Sequence, residues 1–293
     1  MQHITVLQQE AVDALSPSSS DIVVDATFGA GGHAKEIIKR LNTEGTYIGI
    51  DADETAFEGK TFTDAKPTIH LVNNNFRNIT DILGSLHIKN VNAILADLGW
   101  RMEQFAEGGK GFSFMHDEPL HMTFGAPSQY EYTARDMVNE WGESSLADII
   151  FGYGEERMAR KIAKAIVTAR RVAPIETTGQ LVTIIESVFP PMHYRKVNPS
   201  TKTFQALRIA VNDELGALEQ FLKDGFTALD TGGRMAIITF HSLEDRVVKH
   251  YFRTLKDAGL ANPTTKKPIA PTREELSQNP RARSAKLRVI TKL

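Results

Sequence analysis

The sequence predicts an α/β fold, a mostly parallel sheet with helices on both faces, interrupted by a largely helical insertion. Three observations carry this. Short apolar, β-branched runs alternate with helical spacings over the first hundred residues. The alternation stops after "VNAILADLG" (91–99), and helical patterns follow. A strand-like run then returns at "GGRMAIITFHS" (232–242), as if the first sheet were resumed.

The elements read in order as follows. "DIVVDATF" (21–28) is a buried strand, and "AKEIIKRL" (34–41) places Ile37, Ile38 and Leu41 at helical spacing. "TYIGID" (46–51) is a second strand, "TIHLVNNNF" (68–76) a third and weaker one, "RNITDILGSL" (77–86) a helix, and "VNAILADLG" the fourth strand. Residues 100–125 are rich in glycine and aromatics and have no clean period. In "EERMARKIAKAIVTARR" (155–171), Met158, Ile162 and Ile166 share a stripe. "TTGQLVTIIESVF" (177–189) has Thr177 or Thr178 as N-cap. "TFQALRIAVNDELGALEQFLKDGFTAL" (203–229) reads as one long helix, and "AKLRVITK" (285–292) as a last strand. The simplest partition is one domain of residues 1–108 and 201–293, with 109–200 inserted into it.

Bulk properties exclude several classes. Without cysteine there are no disulfides, no cysteine zinc sites and no thiol catalysis. No spacing of the His-Glu-x-x-His kind suggests a metal site. There is no apolar run of membrane-spanning length and no signal-peptide core near the start, so a cytoplasmic protein is expected. The net charge of −2 hides an uneven distribution: residues 246–293 hold 12 Lys or Arg against three acids. Arg157, Arg160, Lys161, Lys164, Arg170 and Arg171 form a second basic cluster, and Arg195, Lys196, Lys202 and Arg208 a third. Such asymmetry fits a bound polyanion, although basic residues also simply solvate helix faces.

The candidate site starts at "VVDATFGAGGHA" (23–34). Gly29, Gly31 and Gly32 follow a strand, where a backbone can approach a ligand, and ligands of open α/β sheets bind at the carboxyl ends of strands. Asp51 closes the second strand, where an acid can accept hydrogen bonds from ribose hydroxyls. A dinucleotide would call for a third glycine in Gly-x-Gly-x-x-Gly, which is absent. The carboxylate of Asp25 just before the turn would repel a pyrophosphate but suits a cationic ligand such as the sulfonium of S-adenosylmethionine. Asp97 ends the fourth strand across the sheet, where it is placed to accept a proton or hydrogen bond from an amine, or else to cap the next turn. His241 lies in "TFHSLEDR" (239–246) as an orienting group beside the crevice; no glycine elbow flanks Ser242, which argues against a nucleophilic serine. Lys110, Phe112 and Phe114 combine a cation with aromatics that suit an unstacked base, or anchor a loop to a core. Arg281 and Arg283, in "NPRARSAKLR" (279–288), suit phosphate contact or a defended edge strand.

Together these segments resemble the MraW, or ribosomal small subunit methyltransferase H, family. The motifs run collinearly: "HITVLQQEAV" (3–12), "DATFGAGGH" (25–33), "GIDAD" (49–53), "DLG" (97–99), "GFSF" (111–114), "YGEERMARKIAKAI" (153–166), "TFQALRIAVNDEL" (203–215), "FHSLEDRVVK" (240–249) and "NPRARSAKLR". The resemblance implies a class I methyltransferase (Rossmann-like) sheet, with 109–200 as a substrate-recognition domain. It implies S-adenosylmethionine as methyl donor and the N4 amine of a cytidine in 16S rRNA of the small subunit as target. On this pattern Gly31, Gly32 and His33 lie at the donor's amino-acid end, Asp51 at the ribose, and Phe76, Asp97 and Gln104 complete the donor site. The chain departs from the family pattern where "DLGVSSPQLD" becomes "DLGWRMEQFA" and "PLDMRM" becomes "PLHMTF" (119–124). Those changes keep open two alternatives, action on another nucleic-acid amine and a catalytically silent RNA-binding assembly factor. Nothing in the sequence chooses between monomer and homodimer.

Overall fold

The computed structural model describes residues 4–99, 109–190 and 198–293. The chain divides into two compact units, Met1–Trp100 with Leu215–Leu293, and Arg101–Glu214.

In chain order the first unit begins with α1 (Gln8–Leu15), β1 (Ile22–Asp25), α2 (Gly32–Arg40), β2 (Thr46–Asp51), β3 (Thr68–Asn73), α3 (Ile79–Ser85) and β4 (Val91–Asp97). The second unit holds α4 (Ala134–Glu140), α5 (Glu143–Gly154), α6 (Ala159–Arg170), α7 (Thr178–Glu186) and α8 (Ser200–Val211). The first then resumes with α9 (Glu214–Ala228), β5 (Leu229–Thr239), α10 (Ser242–Asp257), β6 (Ala261–Pro263), α11 (Arg273–Gln278) and β7 (Lys286–Lys292).

The seven strands form one sheet in the order β3-β2-β1-β4-β5-β7-β6. Strands β1 to β5 pair in parallel, while β7 runs antiparallel between β5 and β6. The chain winds outward from β1 through β2 to β3, then crosses to β4 on the other flank. The carboxyl ends of β1 and β4 therefore border the topological switch point, where such sheets bind ligands.

Both faces of the central strands are covered, which is why they read as continuous apolar runs. On one face Val24, Ile48, Ile94 and Ile237 pack with Ile82 of α3, Phe221 and Leu222 of α9, and Val248 and Phe252 of α10. On the other, Val23, Tyr47, Leu95 and Ile238 pack with Val12 of α1 and Ile37 of α2. Each such side chain contributes on the order of 1.5–3 kcal/mol by leaving water.

Two expectations change. The helix expected over 203–229 breaks at Asn212 and Asp213, the latter in the left-handed region with φ 45°. Asn212 is buried, accepts a hydrogen bond from the Phe124 amide (3.1 Å) and donates to the Met122 carbonyl (2.8 Å), contacts that a straight helix would forfeit. Because α8 belongs with the second unit, that unit runs to Glu214 rather than ending near 200.

Within the second unit, Thr133 and Thr177 form capping boxes with Asp136 and Gln180. The buried Glu118 accepts a hydrogen bond from the Gly111 amide (2.9 Å), and its own amide donates to Thr178 Oγ1 (3.0 Å). Gly111 has φ 75°, and a Cβ there would lie 2.3 Å from the Pro119 carbonyl oxygen, so this glycine serves close packing. Among the described residues no helix is long and apolar enough to cross a membrane.

Candidate active site

The glycine turn is built at the carboxyl end of β1. The Phe28 amide donates to the Ile50 carbonyl at 2.8 Å, which ties the turn to β2. Gly29 and Gly31 have φ of 55° and 78°, where a Cβ is strained, and Gly31 begins α2 as its N-cap. A Cβ on Gly32 would lie 1.7 Å from Thr5 Oγ1, so the N-terminal segment closes over this residue. Asp51, at the end of β2, clamps the turn: its Oδ2 accepts from the Gly29 amide (2.8 Å), and its Oδ1 accepts from the Asp53 amide (2.9 Å).

Asp25 is fully buried below the turn. Tyr47 Oη donates to its Oδ2 (2.9 Å) and the Thr27 amide to its Oδ1 (3.3 Å). Burial is the main reason its pKa is pushed up to about 6, with a smaller contribution from the charge of Asp51. Its phenol partner Tyr47 is pushed up too, chiefly by burial and then by the Asp25 charge.

Asp97 ends β4 on the other side of the switch point. Its amide donates to Thr27 Oγ1 (2.6 Å), so Thr27 links the ends of β1 and β4. Its Oδ2 is 3.8 Å from His33 Nδ1 in the first turn of α2, and its side chain is 23% exposed. The other oxygen, Oδ1, is buried with no hydrogen-bond partner among the described residues. Burial first, then the charges of Asp25 and Glu244, push the Asp97 carboxyl well above its ordinary value.

Negative charge thus gathers at the carboxyl ends of β1, β2 and β4: Asp51 raises the proton affinity of Asp25, and Asp25 and Glu244 raise that of Asp97. Such a place gains by taking in a cation, and a pyrophosphate would add to its repulsion. The orphaned Asp97 oxygen offers an acceptor to an N–H donor.

His241 stands at the carboxyl end of β5 as the N-cap of α10. Its Nδ1 accepts from the Glu244 amide at 3.4 Å, and its Nε2 lies 3.0 Å from Glu244 Oε1. Phe76 lies just after β3, its ring 5.1 Å from that of Phe221. Gln104 lies outside the described residues, as do Arg101, Met102, Arg195 and Lys196. Arg281 and Arg283 are exposed on a short 3-10 turn, Pro280–Ser284.

The rest of the expected substrate set lies in the second unit, where packing takes much of it up. Phe112 is 6% exposed, with its ring 5.7 Å from Phe124, and Phe114 meets Phe204 edge-on at 5.4 Å. Both rings are loop anchors in this arrangement, and Phe112 presents no open face to a base. Lys110 Nζ donates to the Phe124 carbonyl (3.1 Å) and Lys202 Nζ to the Glu155 carbonyl (2.9 Å). Arg208 makes a two-pronged pair with Glu214 at 2.6 and 2.8 Å, with side chains only 11% and 14% exposed. This pair offsets its charge within the protein.

Sequence reasoning missed Thr27 and Tyr47. Tyr47 reads as one more apolar strand position, and Thr27 carries no motif of its own. Their importance follows only from the strand register, which sets Val23 beside Tyr47 and Asp25 beside Leu95.

A parallel sheet with one antiparallel strand inserted near its edge, a glycine turn after β1, and acids ending β2 and β4 make this a class I methyltransferase fold. The chain matches the MraW methylase family over residues 1–293 and belongs to it. It is 44% identical to a Symbiobacterium thermophilum protein named ribosomal RNA small subunit methyltransferase H, over 99% of this chain and 96% of that one. Proteins of the same name from Clostridium botulinum and Neorickettsia sennetsu are 42% and 44% identical, over 100% and 99% of this chain and 99% and 96% of theirs.

Proposed function

We propose that this chain transfers a methyl group from S-adenosylmethionine to the N4 amine of a cytidine in 16S rRNA of the small ribosomal subunit, acting in the cytoplasm. The observation that carries the reading is the gathering of acids at the β1/β4 switch point, where Asp97 keeps a buried oxygen that has no hydrogen-bond partner among the described residues. A cationic donor and an amine acceptor are the two ligands that such a site favours.

When bound, S-adenosylmethionine supplies an electrophilic methyl group on a cationic sulfur. The chain's residues hold and orient the reactants. Asp51 is assigned to the ribose hydroxyls, whose O–H groups a strand-ending carboxylate accepts. Gly29, Gly31, Gly32 and His33 form the wall beside the donor's amino-acid end, with Asp25 supplying negative charge beneath it. Phe76 and Gln104 are assigned to the same site from the family pattern.

Asp97 is the catalytic residue of this reading. The cytosine amine is a poor nucleophile because its lone pair is delocalised into the ring. A hydrogen bond from the amine to Asp97 favours the pyramidal, reactive geometry, and Asp97 then receives the proton that the methylated nitrogen loses. Correct placement within about 3–3.5 Å of the methyl carbon supplies much of the remaining acceleration. The base must be splayed out of folded RNA to reach the crevice. The helical unit is assigned to RNA recognition through Lys110 and Lys202, and His241, Arg281 and Arg283 of the first unit are separately assigned to RNA contact.

The test uses donor labelled in the methyl group and small-subunit particles from cells lacking the modification. Digestion of the product RNA to nucleosides is expected to put the label in N4-methylcytidine. Label in another nucleoside moves the target, and donor binding without transfer to any RNA contradicts catalysis.

A further inference from the structure

The outward face of α6 carries a charge pattern that helix stability does not account for. Ala159, Ile162, Ala163 and Ile166 are buried on its inner side. Arg157, just before the helix, and Arg160, Lys161, Lys164 and Arg171 are all exposed. They recur at three- and four-residue steps, so they share the solvent face. No acidic residue occurs between 157 and 175.

Neighbouring elements do not compensate. Carboxylates occur on α4 (Asp136, Glu140), α5 (Glu143, Asp148) and α7 (Glu186), and Glu155 and Glu156 directly precede Arg157, with the buried Glu156 accepting a hydrogen bond from the Met158 amide at 2.8 Å. Among the described residues, none forms an ion pair with any of the five cations. Arg160 with Lys164 is a like-charge pair at i,i+4 within the helix, which destabilises it. Arg160 and Lys161 also stand in the first turn, where the helix dipole disfavours cations; that turn holds no acid of its own, and Glu156 just before it is engaged with the Met158 amide. The pattern therefore works against the local fold, and an external polyanion is what it matches.

We infer that this face of α6 docks the phosphate backbone of ribosomal RNA. The inference rests on the proposed rRNA substrate and deepens it by naming a docking surface. From Arg160 to Arg171 the helix covers about 16 Å at about 1.5 Å per residue, a length that spans several consecutive phosphates. Phe151, 63% exposed, stands in the last turn of α5, the helix that leads into α6. An exposed aromatic in the helix that precedes a row of cations suits an unpaired stretch of RNA, because bases stack on rings while phosphates meet charges.

The test is the double variant Arg160→Gln/Lys164→Gln in the full chain. Both positions are exposed, so an unchanged melting temperature is expected and controls for folding. Binding to protein-free 16S rRNA is measured from low to moderate salt. Loss of two phosphate contacts is expected to lower the slope of log affinity against log salt by about 1.4–1.8. KM for small-subunit particles is expected to rise about tenfold or more, with kcat and donor affinity within twofold of wild type. An unchanged slope and an unchanged KM overturn the inference. Weaker binding to particles with unaltered binding to protein-free RNA also overturns it, since the partner would then be a ribosomal protein. Salt-sensitive rRNA binding that α6 controls, without methyl transfer by the wild type, would refute the proposed function and leave the docking surface standing.

Discussion

Asp25→Asn probes the acidity of the crevice through stability alone. The carboxyl rises from 3.8 to about 6 on folding, chiefly because burial strips water from its charged form. At about 1.36 kcal/mol per pH unit, this corresponds to about 3 kcal/mol. The native state binds more protons than the unfolded chain between those two values. The group's stabilising contribution is therefore fully present below about pH 4 and is lost as pH rises through about 6. Asparagine does not titrate, and its side-chain oxygen can still accept the Tyr47 hydroxyl. Urea denaturation of both proteins from pH 4 to pH 8 gives the wild-type-minus-variant difference. That difference is expected to fall by about 3 kcal/mol across the window, and to fall less with saturating S-adenosylmethionine, whose positive charge favours the carboxylate. A flat difference, or one that grows with pH, would refute the argument that an uncompensated negative charge lies under the glycine turn.

Other perturbations separate binding from architecture. Asp51→Ala removes the acceptor of the Gly29 and Asp53 amides as well as the proposed ribose contact; a charge-assisted hydrogen bond of about 1.5–3 kcal/mol predicts donor affinity down about 10- to 100-fold by calorimetry. Gly31→Ala puts a Cβ at φ 78° and 3.2 Å from Phe28 Cζ, so a loss of about 1–2 kcal/mol in denaturant titration is expected together with weaker donor binding. Arg208→Ala removes the two-pronged partner of the largely buried Glu214 carboxylate and is expected to destabilise by about 3 kcal/mol. A variant with wild-type stability and reduced RNA affinity would instead return Arg208 to the RNA surface.

The sheet was legible because β1, β2, β4 and β5 are buried on both faces and carry few polar interruptions. The seven-residue β7 was legible for a similar reason, whereas β6 is only Ala261–Pro263 and carries no alternation to detect. The break between α8 and α9 was hidden because the apolar period passes straight through it; the partners of Asn212 are loop groups about 90 residues away. The same break conceals the Arg208–Glu214 pair, since residues six apart do not share the face of a continuous helix. Asp25, Asp51 and Asp97 were visible as strand-ending acids after apolar runs. Which hydrogen bonds they make was not visible, because the relevant partners, Tyr47 and Thr27, are set by strand register. For Phe112 and Phe114, composition fits a stacking surface and a loop anchor equally, and only their packing on Phe124 and Phe204 distinguishes the two.

The central claim is that Asp97 acts on the reacting amine at the β1/β4 switch point. Its most direct test is the single-turnover rate of methyl transfer by Asp97→Ala, with donor and small-subunit RNA both saturating and the fold checked by its melting curve. A drop of about 100-fold or more is expected, the scale set by loss of one preorganised hydrogen-bonding group in an active site. A rate within a few-fold of wild type would contradict the claim and remove Asp97 from the chemistry.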